Sequence, residues 1–354
     1  NGFTFIGPTP EIIDAMGDKA QAKTTMKAAG VPVIPGSEGV LNGVDEAKKL
    51  AYEMGYPVMV KASAGGGGKG IRHVREPNEL EKMFNTASNE AKNAFNNGDM
   101  YMEKFVETPR HIEVQILADE HGNCVHLGER ECSIQRRHQK LVEESPSPAV
   151  TEEVRQQMGE MAIQGAKAVD YVGVGTIEYL MDTNKNFYFM EMNTRIQVEH
   201  TITEMVTGVD LIKQQIRMHV GEHFPENFKS FKLRGHSIEC RINAEDPANN
   251  FIPFPETITS LHFPGGKGVR VDSHAYVGYE IPTQYDSMIG KLIVYASSRE
   301  RAINRMQRAL EETIIEGPKT TIPFHQAIMK DESFRSGEFD TSFLETFEYN
   351  PNKN

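Results

Sequence analysis

The stretch KASAGGGGKG, residues 61–70, limits the fold of this chain more than any other. It joins two strand-like segments, YPVMVKAS and KGIRHV. Gly65, Gly67 and Gly70 match the spacing G-x-G-x-x-G, but a dinucleotide-binding turn leads from a strand into a helix. Here the segment that follows, IRHV, is strand-like. A Walker A loop needs Gly-x₄-Gly-Lys-Ser/Thr. Ser63 stands where its first glycine belongs, and Gly70 follows Lys69. What remains is a glycine hairpin between two strands. Glycine lets backbone N–H groups approach a ligand closely. Ordering four glycines costs conformational entropy that a plain turn avoids. The reading is a hairpin that folds over phosphates. Lys61 shares a strand face with Met59 and Ser63, opposite Val58 and Val60, and is placed to counter phosphate charge.

A second hairpin carries carboxylates. GTIEYLM and FYFMEMN flank the turn-rich connector DTNKN. Reflecting one strand on the other sets Glu178 opposite position 190 or 191, so Glu178 and Glu191 are cross-strand neighbours to within a residue. Like charges so placed repel. A divalent cation held by both resolves the conflict, and Mg²⁺ takes oxygen ligands and substrate phosphates. Asn193, on the same face, adds a carbonyl oxygen. Taken alone, the pair reads better as a solvated acidic face. The alternation continues through EMNTRIQVEH, residues 191–200. Read as one strand, it lines up Glu191, Asn193, Arg195, Gln197 and Glu199 on one side. Arg195 offers a fork for a planar oxyanion, Gln197 donates or accepts, and Glu199 can serve as a general base.

Elsewhere strands and helices are mixed, with several hairpins, which favours α+β over a purely parallel sheet. One helix is expected from Thr9-Pro10-Glu11 to about Gly30, a second over VDEAKKLAYEM, and a third over PNELEKMFNTASNEAKNAF. TEEVRQQMGEMAIQGAKAVD, GVDLIKQQIRMHVG and RERAINRMQRALEETII are further helices. HSIECRINAED opens a last, β-rich region. With 354 residues, 38% of them hydrophobic, the chain has material for more than one core. The net charge of −12 argues against a nucleic-acid footprint. No apolar run reaches membrane-spanning length. Cys124, Cys132 and Cys240 lack metal-ligand spacing and suit a reducing compartment, so a cytoplasmic location is expected. NGFTFIGPTP has no Met and already reads as strand, so the chain is expected to be entered midway.

Taken together, the sequence resembles biotin carboxylase, of the ATP-grasp superfamily. The resemblance rests on FIGP, MGDK, GYPVMVKASAGGGGKGIR, YMEKF, RHIEVQ, GERECSIQRRHQKLVEE, EMNTRIQVEH, TEMVTGVDL, GHSIECRINAEDP and YDSMIGKL, in the family's order from the first residues to about 300. It implies an ATP-grasp fold with a mobile glycine-rich lid and a C-terminal biotin carboxylase region. The divisions it implies are 1–32 as the remnant of a preceding Rossmann-like domain, 33–105 as lid, 106–225 as core and 226–354 as C-terminal region. The activity implied is carboxylation of carrier-bound biotin by bicarbonate, with ATP and Mg²⁺ or Mn²⁺, through carboxyphosphate. Partners implied are a biotin carboxyl carrier protein, carboxyltransferase subunits and a second copy of the chain.

Roles carried over from the family place Lys19, Lys61, Gly67, Gly68, Glu103, Lys104, Val106, His111, Gln135 and His138 at the nucleotide. Glu178, Glu191 and Asn193 match metal ligands, the two glutamates also touching the nucleotide site. Lys140, Arg195, Gln197, Val198 and Glu199 match the bicarbonate site, and Arg241 meets the biotin ureido oxygen. Lys140, Arg195, Glu199 and Arg241 are the catalytic set. Thr201 departs from this picture: acetyl-CoA carboxylase subunits typically have Pro there and pyruvate carboxylases Thr. EMNTRIQ, VEESPSP and the chain's end nonetheless favour the acetyl-CoA carboxylase type. Another ATP-grasp carboxylate–amine ligase is the alternative. It would keep Lys61, the glycine loop and the Glu178/Glu191 pair without needing RRHQK or Arg241.

Overall fold

The computed structural model describes residues 2–63, 70–223, 225, 228 and 232–351. The glycine loop, with Gly65, Gly67, Gly68 and Lys69, lies outside the described residues. Helices and antiparallel strands alternate along the chain, in agreement with the α+β reading.

A three-stranded sheet places β1 (Val58–Ala62) between β2 (Ile71–Val74) and β3 (Met100–Lys104). Its side chains alternate cleanly. Val58, Val60 and Ala62 point into a core shared with α3 (Val44–Met54) and α4 (Leu80–Phe95). Burying each such valine contributes about 1.5–3 kcal/mol. Met59 and Lys61 take the other, half-buried face, and Met59 is paired with Glu103 across β1 and β3.

The second sheet has eight antiparallel strands in the order β13-β14-β9-β6-β5-β4-β7-β8. They are β4 (Arg110–Ala118), β5 (Cys124–Arg136), β6 (Gln139–Ser145), β7 (Gly173–Met181), β8 (Phe187–Asn193), β9 (His236–Asn243), β13 (Val269–Ser273) and β14 (Met288–Ala296). Two short pairs complete the C-terminal region: β10 (Glu245–Asp246) with β11 (Ile252–Pro253), and β12 (Ser260–His262) with β15 (Ile314–Glu316). On one face of the large sheet, Ile112, Val114 and Ile116 pack with α1 (Pro10–Gly17), α2 (Lys19–Ala28) and α5 (Glu152–Lys167). Here Met16, Ala22, Met26 and Val31 belong to the same core as Ile177. The C-terminal strands bury α8 (Arg299–Glu312) and α9 (Ile322–Lys330). The opposite face is covered by α6 (His200–Thr207), which touches β5, β6, β9 and β14, and by α7 (Leu211–His219). That second cover buries both faces of β4 from His111 to Ala118, polar residues included.

Two expectations are corrected. The helix expected from Thr9 to Gly30 is two helices. Asp18 leaves helical geometry between them and accepts the Gln21 N–H at 2.8 Å, capping α2. The strand expected over 191–200 ends at Asn193. Past Thr176 its partner β7 offers Gly173 and Gly175, which supply no cross-strand side-chain pairing to extend the ladder. Residues 194–199 instead turn into α6, whose first bonds run from the Ile202 N–H to the Glu199 carbonyl. The five polar groups therefore do not form one row.

Candidate active site

Lys140, on β6, is the centre of the site. Its ammonium lies 2.6 Å from Glu113 Oε2, 2.5 Å from Glu199 Oε1 and 3.0 Å from Glu178 Oε1. An ammonium has three donors, so all are engaged. Burial works against its charge, but the surrounding carboxylates outweigh it and hold the Lys140 pKa well above the usual lysine range. Glu113 and Glu178 are held below the ordinary carboxylate range. Burial opposes this, while Arg130 and Lys140 outweigh it for Glu113, and His111 and Lys140 for Glu178.

The hairpin register is as the sequence predicts: Glu178 is paired directly with Glu191. Their surroundings differ. Glu178 is buried and accepts at Oε1 from Asn193 at 2.9 Å and Gln197 at 2.8 Å, while Oε2 lies 3.0 Å from His111 Nε2. Gln135 fixes the other His111 nitrogen at 2.7 Å. Glu191 is partly exposed and has Lys19 at 3.3 Å. Glu178 and Glu191 share one rung, and Asn193, two residues on, turns its amide N–H toward Glu178; with the amide oxygen turned in instead, the three make a donor set that fits Mg²⁺ or Mn²⁺.

Glu199 occupies the N-cap position of α6 and is buried. One oxygen meets Lys140. The other lies 3.1 Å from Arg241, whose Nε donates to Glu143 at 2.6 Å. The Val198 carbonyl accepts from Lys291 of β14. Lys140, Glu178, Gln197, Glu199 and Arg241 are therefore one hydrogen-bonded assembly, drawn from β6, β7, β9 and the turn before α6.

The nucleotide-side residues lie in a second group. Lys61 and Lys23 both donate to Glu103, at 2.5 and 3.0 Å. The Lys104 side chain turns away and donates to the Gly55 and Tyr56 carbonyls at 3.0 Å each. Val106 follows β3, half-buried, in the connection to β4. Two residues stand apart from both groups. His138 is exposed in the β5–β6 turn at φ +65°. Arg195 is exposed and donates to the Ile196 carbonyl at 3.2 Å. It lines an open cleft of about 510 Å³ with Asn193, Gly7 and Gln215, away from Lys140.

Sequence reasoning missed the buried charges beneath the site. Arg130 is fully buried and uses all five donors: on Glu113, on Gln115 at 2.5 Å, Thr203 at 3.0 Å, Thr176 at 3.1 Å and Gln197 at 3.0 Å. Glu143, Glu239, Lys291 and Lys23 were also passed over. The available signal was the β4–β5 hairpin, in which Glu113 and Arg130 are cross-strand partners. A bulge between Val114 and Ile116 shifts that register, so counting outward from the turn misses the pairing.

Comparison with known proteins bears on the family and the fold. Residues 18–227 match the family described as carbamoyl-phosphate synthase L chain, ATP binding domain, and residues 239–346 match the biotin carboxylase C-terminal domain. The chain is 58% identical to the biotin carboxylase of Nostoc sp. over 97% of its own length and 77% of that protein's. It is 53% identical to the small subunit of the 2-oxoglutarate carboxylase of Hydrogenobacter thermophilus, covering 97% of this chain and 73% of that protein. The biotin carboxylase–β-gamma-ATP complex from Campylobacter jejuni superposes with a TM-score of 0.92 at 52% identity, covering 98% of this chain and 77% of that one. The chain belongs to the biotin carboxylase family, within the ATP-grasp fold.

Proposed function

We propose that this chain carboxylates biotin on a carrier protein, using bicarbonate and ATP, as the first half-reaction of an acetyl-CoA carboxylase. The observation that carries the reading is the joint grip of Lys140 and Arg241 on Glu199. A base and two cations share one buried place, as proton removal from a bound anion requires.

Bicarbonate is a poor electrophile and must be activated by the γ-phosphate of ATP. Lys61 and Lys19 counter phosphate charge, with Gly67 and Gly68 in the lid. Glu103, Lys104 and the backbone at Val106 border the adenine, and His111, Gln135 and His138 complete the nucleotide side. Glu178, Glu191 and Asn193 hold Mg²⁺ or Mn²⁺, which neutralises phosphate charge when bound. Lys140, Arg195, Gln197, the Val198 backbone and Glu199 hold bicarbonate. Glu199 accepts its proton as the oxygen attacks the γ-phosphorus and displaces ADP. The carboxyphosphate formed breaks down to CO₂ and phosphate, that phosphate removes the proton from biotin N1, and N1 adds to the CO₂. Arg241 and Arg195 stabilise the negative ureido oxygen. For Arg195 this needs an inward rotation of an exposed side chain.

The division at 33–105, 106–225 and 226–354 serves this reading, with α1 and α2 sharing the core of the middle unit. The carrier protein, carboxyltransferase subunits and a second copy of the chain are the proposed partners. No described helix is long and apolar enough to cross a membrane. Three free thiols support placing the protein in the cytoplasm. A pyruvate carboxylase reading is favoured by one position: Thr201 is buried, and its hydroxyl donates to Glu239, which a proline could not do. The test is ATP cleavage measured with bicarbonate and biotin each omitted in turn. Cleavage that requires both supports the reading. Bicarbonate-independent turnover with an amine acceptor overturns it in favour of a carboxylate–amine ligase.

A further inference from the structure

The register of the large sheet sets Glu143 of β6 directly opposite Glu239 of β9. Both are fully buried. Two carboxylates on one rung repel, and both can stay ionised only if enough counter-charge surrounds them. It does not. Lys140 spends its three donors on Glu113, Glu178 and Glu199. Arg241 divides itself between Glu143 and Glu199. Lys291 donates to the Val198 carbonyl and approaches Glu239 only to 3.7 Å. Glu113, Glu143, Glu178, Glu199 and Glu239 are five carboxylates, against the four cations Arg130, Lys140, Arg241 and Lys291. The assembly is one permanent positive charge short, and His111, which meets Glu178 at 3.0 Å, offsets charge at that end and not at the Glu143–Glu239 rung.

The hydrogen bonds show where the deficit falls. Glu143 Oε1 accepts from Arg241, and Glu239 Oε2 from the Thr201 hydroxyl. The remaining oxygens, Glu143 Oε2 and Glu239 Oε1, are buried without a hydrogen-bond partner among the described residues. An orphaned buried acceptor is costly. A single proton corrects both, because a protonated carboxyl becomes a donor to its neighbour.

We propose that Glu143 and Glu239 hold one proton between them at neutral pH, and that this half-charged pair keeps Arg241 shared with Glu199. Both are positioning residues. The shared proton stands on the register and the orphaned oxygens. Its consequence for turnover rests on the reading of Arg241 as the group that meets biotin. The groups facing the pair are Lys140 from β6, Cys132 from β5, Cys240 and Arg241 from β9, Lys291 from β14 and Glu199 from the start of α6. Burial, then the Glu239 and Glu199 charges, push the Glu143 pKa up to about 8 against the pull of Arg241. Burial also raises Glu239. If the pair lost its proton, two charges would draw the guanidinium onto β6 and β9 and away from Glu199.

The sign of the pH dependence follows. The folded chain keeps a proton that the unfolded chain releases above the ordinary carboxylate range. Stability from this pair is full below that range and is lost as pH rises through the folded value. Melting temperature and steady-state ATP cleavage are measured on the full chain from about pH 6 to about pH 9.5, for wild type, Glu143→Gln and Glu239→Gln. Each amide supplies the N–H donor while keeping an oxygen for Arg241 or Thr201. The expected result is a Tm advantage of the variants that grows as pH rises toward about 8 and then levels. The biotin KM of the wild type is expected to rise about tenfold by one pH unit above that value and to stay flat in Glu143→Gln. Infrared spectra of the wild type should carry the carbonyl band of a buried carboxylic acid at neutral pH and lose it in alkali. Parallel Tm–pH curves for all three proteins, or no such band in the wild type should both variants fail to fold, overturn the proposal. A wild type without biotin-dependent turnover defeats the functional reading and leaves the Tm and infrared tests standing.

Discussion

The two sheets solve the same problem in opposite ways. In the three-stranded sheet, apolar and polar residues alternate: Val58, Val60 and Ala62 go in, while Met59 and Lys61 stay half-buried on the side bearing Glu103. Glu103 is buried, but its two cations, Lys61 and Lys23, stay partly exposed. In the eight-stranded sheet, α6 and α7 cover the polar face, so its charges have only one another. Arg130 is fully buried, and Lys140, Glu199 and Arg241 nearly so. The difference shows what a second layer does to a polar strand face. It turns side chains that would be solvated into a network whose members depend on each other.

The sharpest way to break that comparison is to remove one member from each sheet. Arg130→Met takes five donors from a site without water-facing alternatives. Loss of one partner of a buried ion pair costs about 3–5 kcal/mol. Chemical denaturation should show a loss of that size. A loss under about 1 kcal/mol, the value for exposed pairs, would mean that the covered face is wet after all.

Glu199→Gln tests the same network for chemistry rather than stability. The amide keeps one acceptor oxygen, for Lys140 or for Arg241, loses the contact to the other, and cannot take a proton. Carboxylation should fall by about 10²–10⁴-fold, the usual contribution of a general base. MgATP binding, measured by calorimetry, should remain. Activity within a few-fold of wild type would remove Glu199 from the role of base.

How much of this was legible in advance follows the same divide. The small sheet was readable because alternation reports burial when one face is wet; Lys61 took the face that its parity with Met59 predicts. The Glu178–Glu191 rung was readable to within a residue because a short connector fixes a hairpin's register, and a bulge between Glu178 and Tyr179 makes the partner 191 rather than 190. Residues 195–199 were not, because alternation persists in sequence after the strand has ended, and only pairing with β7 decides where it ends. Glu113, Arg130, Glu143 and Glu239 were illegible for a further reason. Their burial comes from α6, a distant segment, and nothing local distinguishes a charge under a helix from one in solvent. The biotin carboxylase resemblance supplied Lys140 and Arg241, which residue patterns alone read as a basic surface run and an ordinary strand arginine.

Glu103→Gln gives the counterpart in the small sheet. Burial raises the Glu103 pKa, but Lys61 and Lys23 outweigh it and hold the carboxylate below its ordinary range. Stability from this contact is therefore present above that range and lost as pH falls through the folded value. Charge-assisted hydrogen bonds contribute about 1.5–3 kcal/mol each, less where water reaches them, so the loss should be smaller than for Arg130→Met. The variant should also lack the part of the acid-induced Tm decrease due to Glu103. An equal or larger loss than for Arg130→Met would erase the distinction between the sheets.

The smallest effect is expected farthest from both networks. Lys48 of α3 and Glu81 of α4 make a 2.7 Å contact, as short as many inside the site. Their side chains are 46% and 62% exposed. The contact lowers the Glu81 pKa through the hydrogen bond and then the charge of Lys48, so any stability it adds lies above the ordinary carboxylate range and fades in acid. Water and salt screen such a pair, and holding two long side chains costs rotamer freedom. Lys48→Gln should leave Tm unchanged at neutral pH and at all salt concentrations. A salt-dependent drop in Tm would show that contact length, rather than cover by a second layer, sets the worth of a charge pair in this fold.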